Sequence, residues 1–329
     1  MQRSRDNYAT RPFSTPNASI KNGQVQIVKT GIIIKHSMSN SLSFSIPSAE
    51  ASWTTKSANV FAQKVEEQLP HVKVNVACGG KLYKQGEELA ALQKGDLDLA
   101  TVSFSDLGEP FSALSRAYLI KDYEHLRRVV EISTFWPKFC GLVSEKLGIT
   151  ILSVIYIGTR HLAEIGEKQF EGKYFALRMP KGEAWAHVAK SLGTNPIPIS
   201  LHDLPKAIQE GQIDGIDSPL PALKAYNLEI KRLVLTAHLV DCILIVKSNK
   251  TILQPKEESA LSIASEEAQR FNDLNRREEE ANLLLEYSQS HSVVEPMLRE
   301  LEGKADAYYK KQIQLSQEQQ RWIETIQRA

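Results

Sequence analysis

Arg178 is the residue whose type and position most clearly predict binding chemistry. It follows the apolar run 174–177 at the end of a short strand pattern, and Pro180 and Gly182 come soon after it. Ligands of parallel α/β sheets commonly bind beyond the carboxyl ends of the strands. A guanidinium carries a planar fork of donors that matches a carboxylate in two parallel hydrogen bonds, which lysine cannot copy. The residues alone leave two interpretations open, an anion site and a structural ion pair.

Two further side chains are candidates for contact with the same ligand. Trp185 lies in a helical pattern, where its indole would stack against a bound molecule, although a tryptophan at helical spacing is more often part of the core. Ser103 follows the apolar strand pattern 97–102 and would offer a hydroxyl group. The histidines, His238 among them, lack metal-ligand spacing, so we expect them to have no special role and expect neither a metal nor a cofactor.

The stretch 175–219 positions these residues. A strand pattern at its start is followed by a helical pattern at 183–192, extended residues at 195–198, a second helix at 204–210 and a strand and turn at 213–219. Strand, helix, strand, helix and strand within fewer than fifty residues are typical of a parallel sheet covered by helices. We therefore predict an α/β fold.

The rest of the chain continues this alternation. Strand patterns occur at 42–46, 72–76, 97–102, 149–156, 233–236 and 242–246, and helical patterns at 53–68, 86–93, 123–147, 220–232 and 255–288. The last helical pattern has a densely charged middle at 276–280, typical of a solvated helix face with pairs such as Arg276 and Glu280. A chain of 329 residues is long enough for one large or two medium domains.

Composition and charge exclude several classes of protein. The formal net charge is +1, so no global field favours nucleic acid or an acidic membrane surface. The three cysteines, Cys78, Cys140 and Cys242, lie far apart, and we predict that they are small buried hydrophobic residues. Any recognition of a charged ligand must therefore come from a local group.

The amino-terminal arm, residues 1–40, is predicted to be disordered or poorly ordered because it is polar and contains proline and glycine. Its apolar burst at 31–34 is too short for the hydrophobic region of a secretory signal peptide, so none is visible in the sequence. No segment of the chain reaches the length of a membrane span.

Four linked motifs resemble those of one family. They are R-x-P at 178–180, L-G-x-N-P-x-P at 192–198, D-L-x-x-A-I-Q-x-G at 203–211 and D-G-x-x-x-P at 214–219. In this order they resemble the DctP-like solute-binding proteins of tripartite ATP-independent (TRAP) transporters. The first half resembles the same family in F-A-x-x-V-E at 61–66 and in the run that ends at Ala100.

The resemblance implies a two-lobe periplasmic binding protein fold with a ligand cleft between the lobes, hinge strands and a long helix that spans both. The implied lobes are 41–157 plus 242–275 and 158–241 plus 276–329. It also implies a receptor, not an enzyme, that lies in the periplasm and delivers a carboxylate-containing organic acid, such as a dicarboxylate, to membrane subunits.

The resemblance also implies roles for individual residues. Arg178 matches the arginine that grips the ligand carboxylate, and Arg160 matches one that ends a strand in G-x-R and points into the cleft. Asp217 and Ser218 stand where many members have glutamate and asparagine, and both are candidate ligand contacts. If the empty cleft is open and wet, Arg178 is solvated, and its loss should change the free energy of unfolding by less than about 1 kcal/mol.

Two alternatives to a transport receptor remain. A ligand-sensing protein would use the same cleft to report to a partner. An enzyme acting on an organic acid would need a poised base or nucleophile, and the sequence shows no Ser-His-Asp order, paired acids or metal cluster.

Overall fold

A computed structural model describes residues 41–170, 174–199, 203–225 and 227–329, together with three strands near the amino terminus. These strands, β1 (Ala18–Lys21), β2 (Gln24–Lys29) and β3 (Ile32–Ile33), pair in antiparallel order. The predicted disordered arm therefore contains short strands, and its remaining residues lie outside the described part. Residues 41–329 form one compact unit.

A single nine-stranded sheet organises this unit. Its strands are β4 (Ser41–Ser45), β5 (Lys73–Ala77), β6 (Leu99–Ser103), β7 (Ile149–Glu164), β8 (Ala176–Met179), β9 (Asn195–Pro198), β10 (Gly215–Pro219), β11 (Arg232–Ser248) and β12 (Ser292–Val294). The order is β5-β4-β6-β11-β7-β10-β8-β9, with β12 paired to β11. β8, β9 and β10 are parallel, as predicted. β11 and β7 run antiparallel to each other and to β6 and β10, respectively, and β12 pairs with β11 in parallel.

Helices cover both faces of the sheet. They are α1 (Trp53–Gln68), α2 (Glu88–Lys94), α3 (Tyr123–Arg127), α4 (Phe135–Leu147), α5 (Glu183–Ser191), α6 (Leu204–Gln209), α7 (Leu220–Ala225), α8 (Pro255–Ser290), α9 (Leu298–Gln312) and α10 (Gln317–Arg328). α1 has the predicted bounds, and the Ser52 hydroxyl caps it by accepting from the backbone N–H of Thr55. Helices and sheet together confirm the α/β class.

β11 corrects the prediction of two separate strands at 233–236 and 242–246. It is one strand of 17 residues with a break in pairing register between Val234 and Leu239. Ala237 lies in this break with a φ of 44°, a conformation that interrupts a regular strand. The sequence predicted two strands because the apolar strand pattern is interrupted near this break.

The long strands β7 and β11 join two lobes. Residues 243–247 of β11 pair with β6, so this end belongs to the first lobe, with β4 and β5. The last five residues of β7 pair with β10, so that end belongs to the second lobe, with β8 and β9. A register shift lies between Asp241 and Cys242, opposite Gly158 and Tyr156. The two crossing strands change lobe at this bulge.

Helix α8 spans both lobes, as expected for this fold. Ala260, Leu261 and Ala264 pack with α1 in the core of the first lobe. Nearer the carboxyl-terminal end of the helix, Leu283 and Tyr287 pack in a core of the second lobe. The charged middle of α8 therefore lies beside the crossing strands.

The last two helices pack on different lobes. Ala305 and Tyr309 of α9 join a second-lobe core. Trp322 and Ile326 of α10 instead join a first-lobe core, where Trp322 stacks on Phe111. The apolar face of α10 is buried against α4 and its neighbours. The lobe bounds expected from the sequence, 276–329 included, stay predictions.

The cysteines are less uniform than predicted. Only Cys242 is buried, whereas Cys78 and Cys140 are partly exposed, and all three are free thiols. Burial raises the pKa of Cys140 to about 12, so this thiol stays protonated at neutral pH.

Candidate ligand-binding site

Arg160 and Asp217 form a buried ion pair between β7 and β10. Asp217 is opposite Leu162 in the pairing register, so Arg160 lies diagonally across from it on the same face of the sheet. Arg160 Nε donates to both carboxylate oxygens of Asp217, at 3.0 and 2.9 Å, and Nη2 donates to Oδ2 at 2.6 Å and to the Asp217 backbone oxygen at 2.9 Å. Charge-assisted contacts of this forked kind fix the plane of the guanidinium.

A second carboxylate, Asp241 of β11, also binds Arg160. Arg160 Nη1 donates to Asp241 Oδ2 at 2.6 Å. Burial raises the pKa of Asp241 above its usual range, and the attraction of Arg160 offsets only part of that rise. Burial likewise raises the pKa of Asp217, but the charges of Arg160 and His238 outweigh it and hold that pKa well below its usual range. Asp217 is thus the firmly ionised member of the pair.

His238 fixes the other side of Asp217, although the sequence predicted no special role for it. Its Nε2 lies 2.8 Å from Asp217 Oδ1 and its Nδ1 lies 2.7 Å from the Thr236 hydroxyl. Nearby, the backbone N–H of Ala237 donates to His161 Nδ1 at 3.2 Å. Burial lowers the pKa of His161 to about 4, so this ring is neutral at pH 7. The cluster therefore consists of Arg160 with two carboxylates and two buried histidines.

Trp185 covers the guanidinium of Arg160. The centre of its ring lies 4.5 Å from Arg160 Cζ, a cation–π contact. Trp185 is in the first turn of α5, which begins after Gly182 and buries Val188 and Ala189 in the same core. The side chain is at once part of the core, as its helical spacing indicated, and part of the charged cluster.

A small cavity separates the two lobes beside this cluster. The first lobe contributes Ser103, Phe104 and Ser105, the segment after Gly108 contributes Leu114, Ser115 and Ile120, and Trp185 and residues 239–242 complete the wall. Its volume is about 20 Å³, the space of a single water molecule. An organic acid is larger than this cavity, so it does not fit there unless residues of the wall move.

Ser103 lies where the sequence predicted, at the end of β6 on the first-lobe wall. Its hydroxyl donates to Asp106 Oδ2 at 2.6 Å and lies 2.7 Å from the Ser105 hydroxyl. The two serines form a short polar strip on a wall that is otherwise mostly apolar.

Arg178 and Ser218 lie elsewhere. Leu177 and Met179, the neighbours of Arg178 in β8, are buried in the same core as Trp185, so Arg178 points to the opposite face of the sheet. Its Nε donates to the Ile199 backbone oxygen at 2.9 Å, and only 3% of the residue is exposed. The expectation of a solvated guanidinium is therefore wrong. Ser218 is buried and faces away from its neighbour Asp217 for the same alternating reason.

Of the six predicted site residues, the structure therefore brings Arg160, Asp217 and Trp185 together and places Ser103 on the adjoining wall. Sequence reasoning missed Asp241 and His238. Asp241 carried a usable signal, because a lone carboxylate in the apolar run 239–246 must have a partner when the strand is buried.

Among the described residues, none of the helices combines the length and the apolar character that a membrane span needs. No group of three or more His, Cys, Asp or Glu side chains in that part of the chain is placed to hold a metal ion.

Residues 44–315 match the family model of bacterial extracellular solute-binding proteins, family 7, the DctP family. The chain belongs to this family. The match covers the sheet, both lobes and the charged cluster, and it confirms the resemblance seen in the motifs. The residues outside it are the amino-terminal arm, the first residues of β4 and the segment 316–329, which contains all of α10.

Curated relatives are similar over part of their length. The sialic acid-binding periplasmic protein SiaP of Vibrio cholerae is 29% identical over 206 residues, which are 59% of this chain and 63% of that protein. The C4-dicarboxylate-binding periplasmic protein DctP of Rhodobacter capsulatus is 27% identical over 45% of this chain and 46% of its own. The chain thus matches less than two thirds of the length of either protein.

Solved structures match over nearly their whole length. A TRAP periplasmic solute-binding protein of Roseobacter denitrificans, with bound 3-deoxy-D-manno-oct-2-ulosonic acid, superimposes with a TM-score of 0.78 at 26% identity, over 88% of this chain and 98% of that one. A protein of the same class from Haemophilus influenzae, with bound L-gulonate, gives a TM-score of 0.78 at 18% identity, over 88% and 99%. The two-lobe fold predicted from the sequence is confirmed.

Proposed function

We propose that this protein is the solute receptor of a TRAP transporter. It closes two lobes around a carboxylate-containing organic acid in the periplasm and delivers the acid to the membrane subunits of the carrier. The observation that supports this most directly is the position of the charged cluster. Trp185 and Asp241 line the interlobe cavity and both contact Arg160, beside the bulge where β7 and β11 change lobe. Closure of the lobes is thereby coupled to contact with the ligand.

The similar proteins support an acid as the ligand. The named compounds are sialic acid, C4-dicarboxylates, 3-deoxy-D-manno-oct-2-ulosonic acid and L-gulonate, and each belongs to its own receptor. All carry a carboxylate. For this chain we infer the shared feature, one carboxylate that is gripped in the cleft by an arginine. Arg178 is the first candidate by its motif, although its side chain lies on the face of the sheet away from the cavity, and Arg160 is the second, within the charged cluster beside the cavity.

Receptor is a better description of the site than enzyme. Both carboxylates of the cluster bind Arg160, and His238 is held between Asp217 and Thr236. The one hydroxyl beside a base in this cluster, that of Thr236, is fully buried together with His238, so neither group reaches a bound molecule in the described residues. Turnover of a bound acid would favour the enzyme. A ligand-sensing role would instead be favoured if the protein bound an acid but failed to support uptake with any pair of TRAP membrane subunits.

A thermal-shift screen of a few hundred organic acids, neutral sugars and amines tests the proposal. An acid present at about a hundredfold excess over its dissociation constant should raise the free energy of unfolding by roughly 2.7 kcal/mol. Hits confined to neutral sugars or amines would overturn the ligand class. Uptake of the best acid into vesicles that contain the membrane subunits then tests delivery.

A further inference from the structure

Asp241 differs from Asp217 in what it presents to the cavity. Asp217 is fully buried and held by Arg160 and His238. Asp241 lies in the cavity wall, and 13% of its side chain is exposed. Within the described part of the chain, Arg160 is the one side chain that donates a hydrogen bond to it, through Oδ2. Asp241 is therefore the carboxylate of the cluster that a bound molecule can reach.

Arg160 has little capacity left for a ligand while Asp241 holds it. A guanidinium has five N–H donors. Arg160 uses Nε and both Nη2 hydrogens on Asp217 and one Nη1 hydrogen on Asp241, which leaves one. A ligand carboxylate cannot receive two parallel hydrogen bonds from Arg160 without displacing Asp241.

The charge balance favours a hydrogen-bond donor at this point of the cavity. Arg160 already binds two carboxylates at 2.6 Å each and no cation among the described residues lines the cavity, so a third carboxylate beside Asp241 would have no cation to receive it in a poorly solvated space. The opposite wall, formed by Ser103, Phe104 and Ser105, offers hydroxyl groups but no cation. A ligand group that donates a hydrogen bond would instead be accepted by Asp241.

We propose that Asp241 is a specificity-determining residue that accepts a hydrogen bond from the ligand. The ligand class is a monocarboxylic acid that carries a hydroxyl or ammonium donor, and a dicarboxylate is excluded by repulsion from Asp241. This inference rests on the proposed function, because it assumes that an acid occupies the interlobe cavity.

Matched probes that differ in one group test the inference. Succinate, 4-hydroxybutyrate and 4-aminobutyrate all have four carbons and a carboxylate at one end. The other end carries a second carboxylate in succinate, a hydroxyl in 4-hydroxybutyrate and an ammonium group in 4-aminobutyrate. D-glucarate and D-gluconate are a longer pair that differs in the same way, a diacid and a hydroxy acid. Calorimetry on the wild-type protein should give an affinity about tenfold or more higher for the hydroxy or amino acid than for the diacid of the same set. Asp241→Asn removes the charge at nearly constant shape and should lower that ratio by about tenfold or more.

Asp306→Asn is the matched control, because Asp306 is a partly exposed carboxylate of the second lobe that pairs with Lys310. Asp306→Asn should leave unchanged the ratio between the affinity for the hydroxy or amino acid and the affinity for the diacid. If Asp241→Asn does not fold, as judged by circular dichroism, Asp241→Ser replaces it, and the wild-type ratio alone still decides the ligand class.

Three results would overturn the inference. The first is that diacids bind the wild type as tightly as the matched hydroxy or amino acids. The second is that Asp241→Asn leaves the ratio of these affinities unchanged, and the third is that only acids of some other class bind. If no acid in the wider screen binds the wild type, the proposed function itself fails. The two failures are therefore distinguishable.

Discussion

Glu280 of α8 accepts a hydrogen bond from the backbone N–H of Thr159, 2.6 Å away, just beyond the bulge where β7 changes lobe. Its other oxygen accepts from the Tyr156 hydroxyl, on the near side of the same bulge. Burial raises the pKa of Glu280, and these two hydrogen bonds partly offset the rise. One side chain of the long helix thus holds both sides of the crossing strand.

Replacing Glu280 should therefore weaken the hinge. Glu280→Ala removes the acceptor for two donors, and we expect the free energy of unfolding to fall by about 2–4 kcal/mol. Glu280→Gln keeps an acceptor for Thr159 and should lose less. Denaturant unfolding measures both, with the exposed Glu278→Ala as control. Equal stability of Glu280→Ala and the control would show that α8 does not hold β7.

Gly158 is required by both its backbone and its surroundings. Its φ is 134°, and a Cβ there would lie 3.0 Å from Pro219 Cβ and 3.3 Å from Glu280 Oε1. Gly158→Ala should lower the free energy of unfolding by about 1–3 kcal/mol. Gly141, within α4, has open space around it, so Gly141→Ala should raise that free energy by about 0.5–1 kcal/mol. Thermal unfolding should show that Gly158→Ala lowers the free energy of unfolding and Gly141→Ala raises it. Changes in the same direction would contradict the strain at Gly158.

The two arginines can be separated by stability and affinity measured together. Because Arg178 is buried and donates to Ile199, we now expect Arg178→Ala to cost about 1.5–3 kcal/mol of unfolding free energy. Arg160→Ala should cost more, about 3–5 kcal/mol, since it leaves the fully buried Asp217 and the largely buried Asp241 without their partner. The control is Arg270→Ala, which removes one member of an exposed ion pair and should cost no more than about 1 kcal/mol.

Affinity then identifies the ligand anchor. If Arg178 grips the ligand carboxylate, Arg178→Lys should weaken acid binding by about 3 kcal/mol, more than a hundredfold, in calorimetry at pH 7. Near-normal affinity of Arg178→Lys, with loss only in Arg160→Lys, would place the anchor at Arg160.

His161 predicts how stability depends on pH. Its pKa is about 4 in the folded protein and about 6.5 in the unfolded chain. Between these values the unfolded chain binds more protons, so the free energy of unfolding falls as the pH drops from about 6.5 to 4, by roughly 3 kcal/mol from this residue. His161→Gln should reduce the slope of the free energy of unfolding against pH in this range, by an amount that corresponds to at most one bound proton. Parallel curves for the two proteins would show that His161 is protonated alike in both states.

Local patterns predicted much of the fold, and non-local pairing decided what they could not. The helical spacing of apolar residues predicted α1 and α8 almost to their ends. The prolines and glycines of 175–219 marked the ends of its helices and strands and so indicated three parallel strands. The position of Arg178 at the end of a strand could not show on which face of the sheet its side chain lies. Neighbouring residues of a strand lie on opposite faces, and only the pairing of β8 with β9 and β10 decides which face Arg178 takes.

The same limit applied to the candidate site. Arg160 and Asp217 were proposed through separate motifs, and only the antiparallel register of β7 and β10 shows that they bind each other. Asp241 and His238 reach them from a third strand, more than twenty residues further along the chain.

The placement of α9 and α10 on different lobes has a mechanical consequence. Only residues 313–316 connect the two helices, and four extended residues reach at most about 14 Å. The carboxyl-terminal end of α10 is fastened to the first lobe, where His125 Nε2 lies 2.7 Å from the Ile326 oxygen and Arg128 Nε donates to the Ala329 oxygen. Residues 313–316 therefore link a helix packed on the second lobe to one packed on the first, and their length limits how far the two lobes can separate.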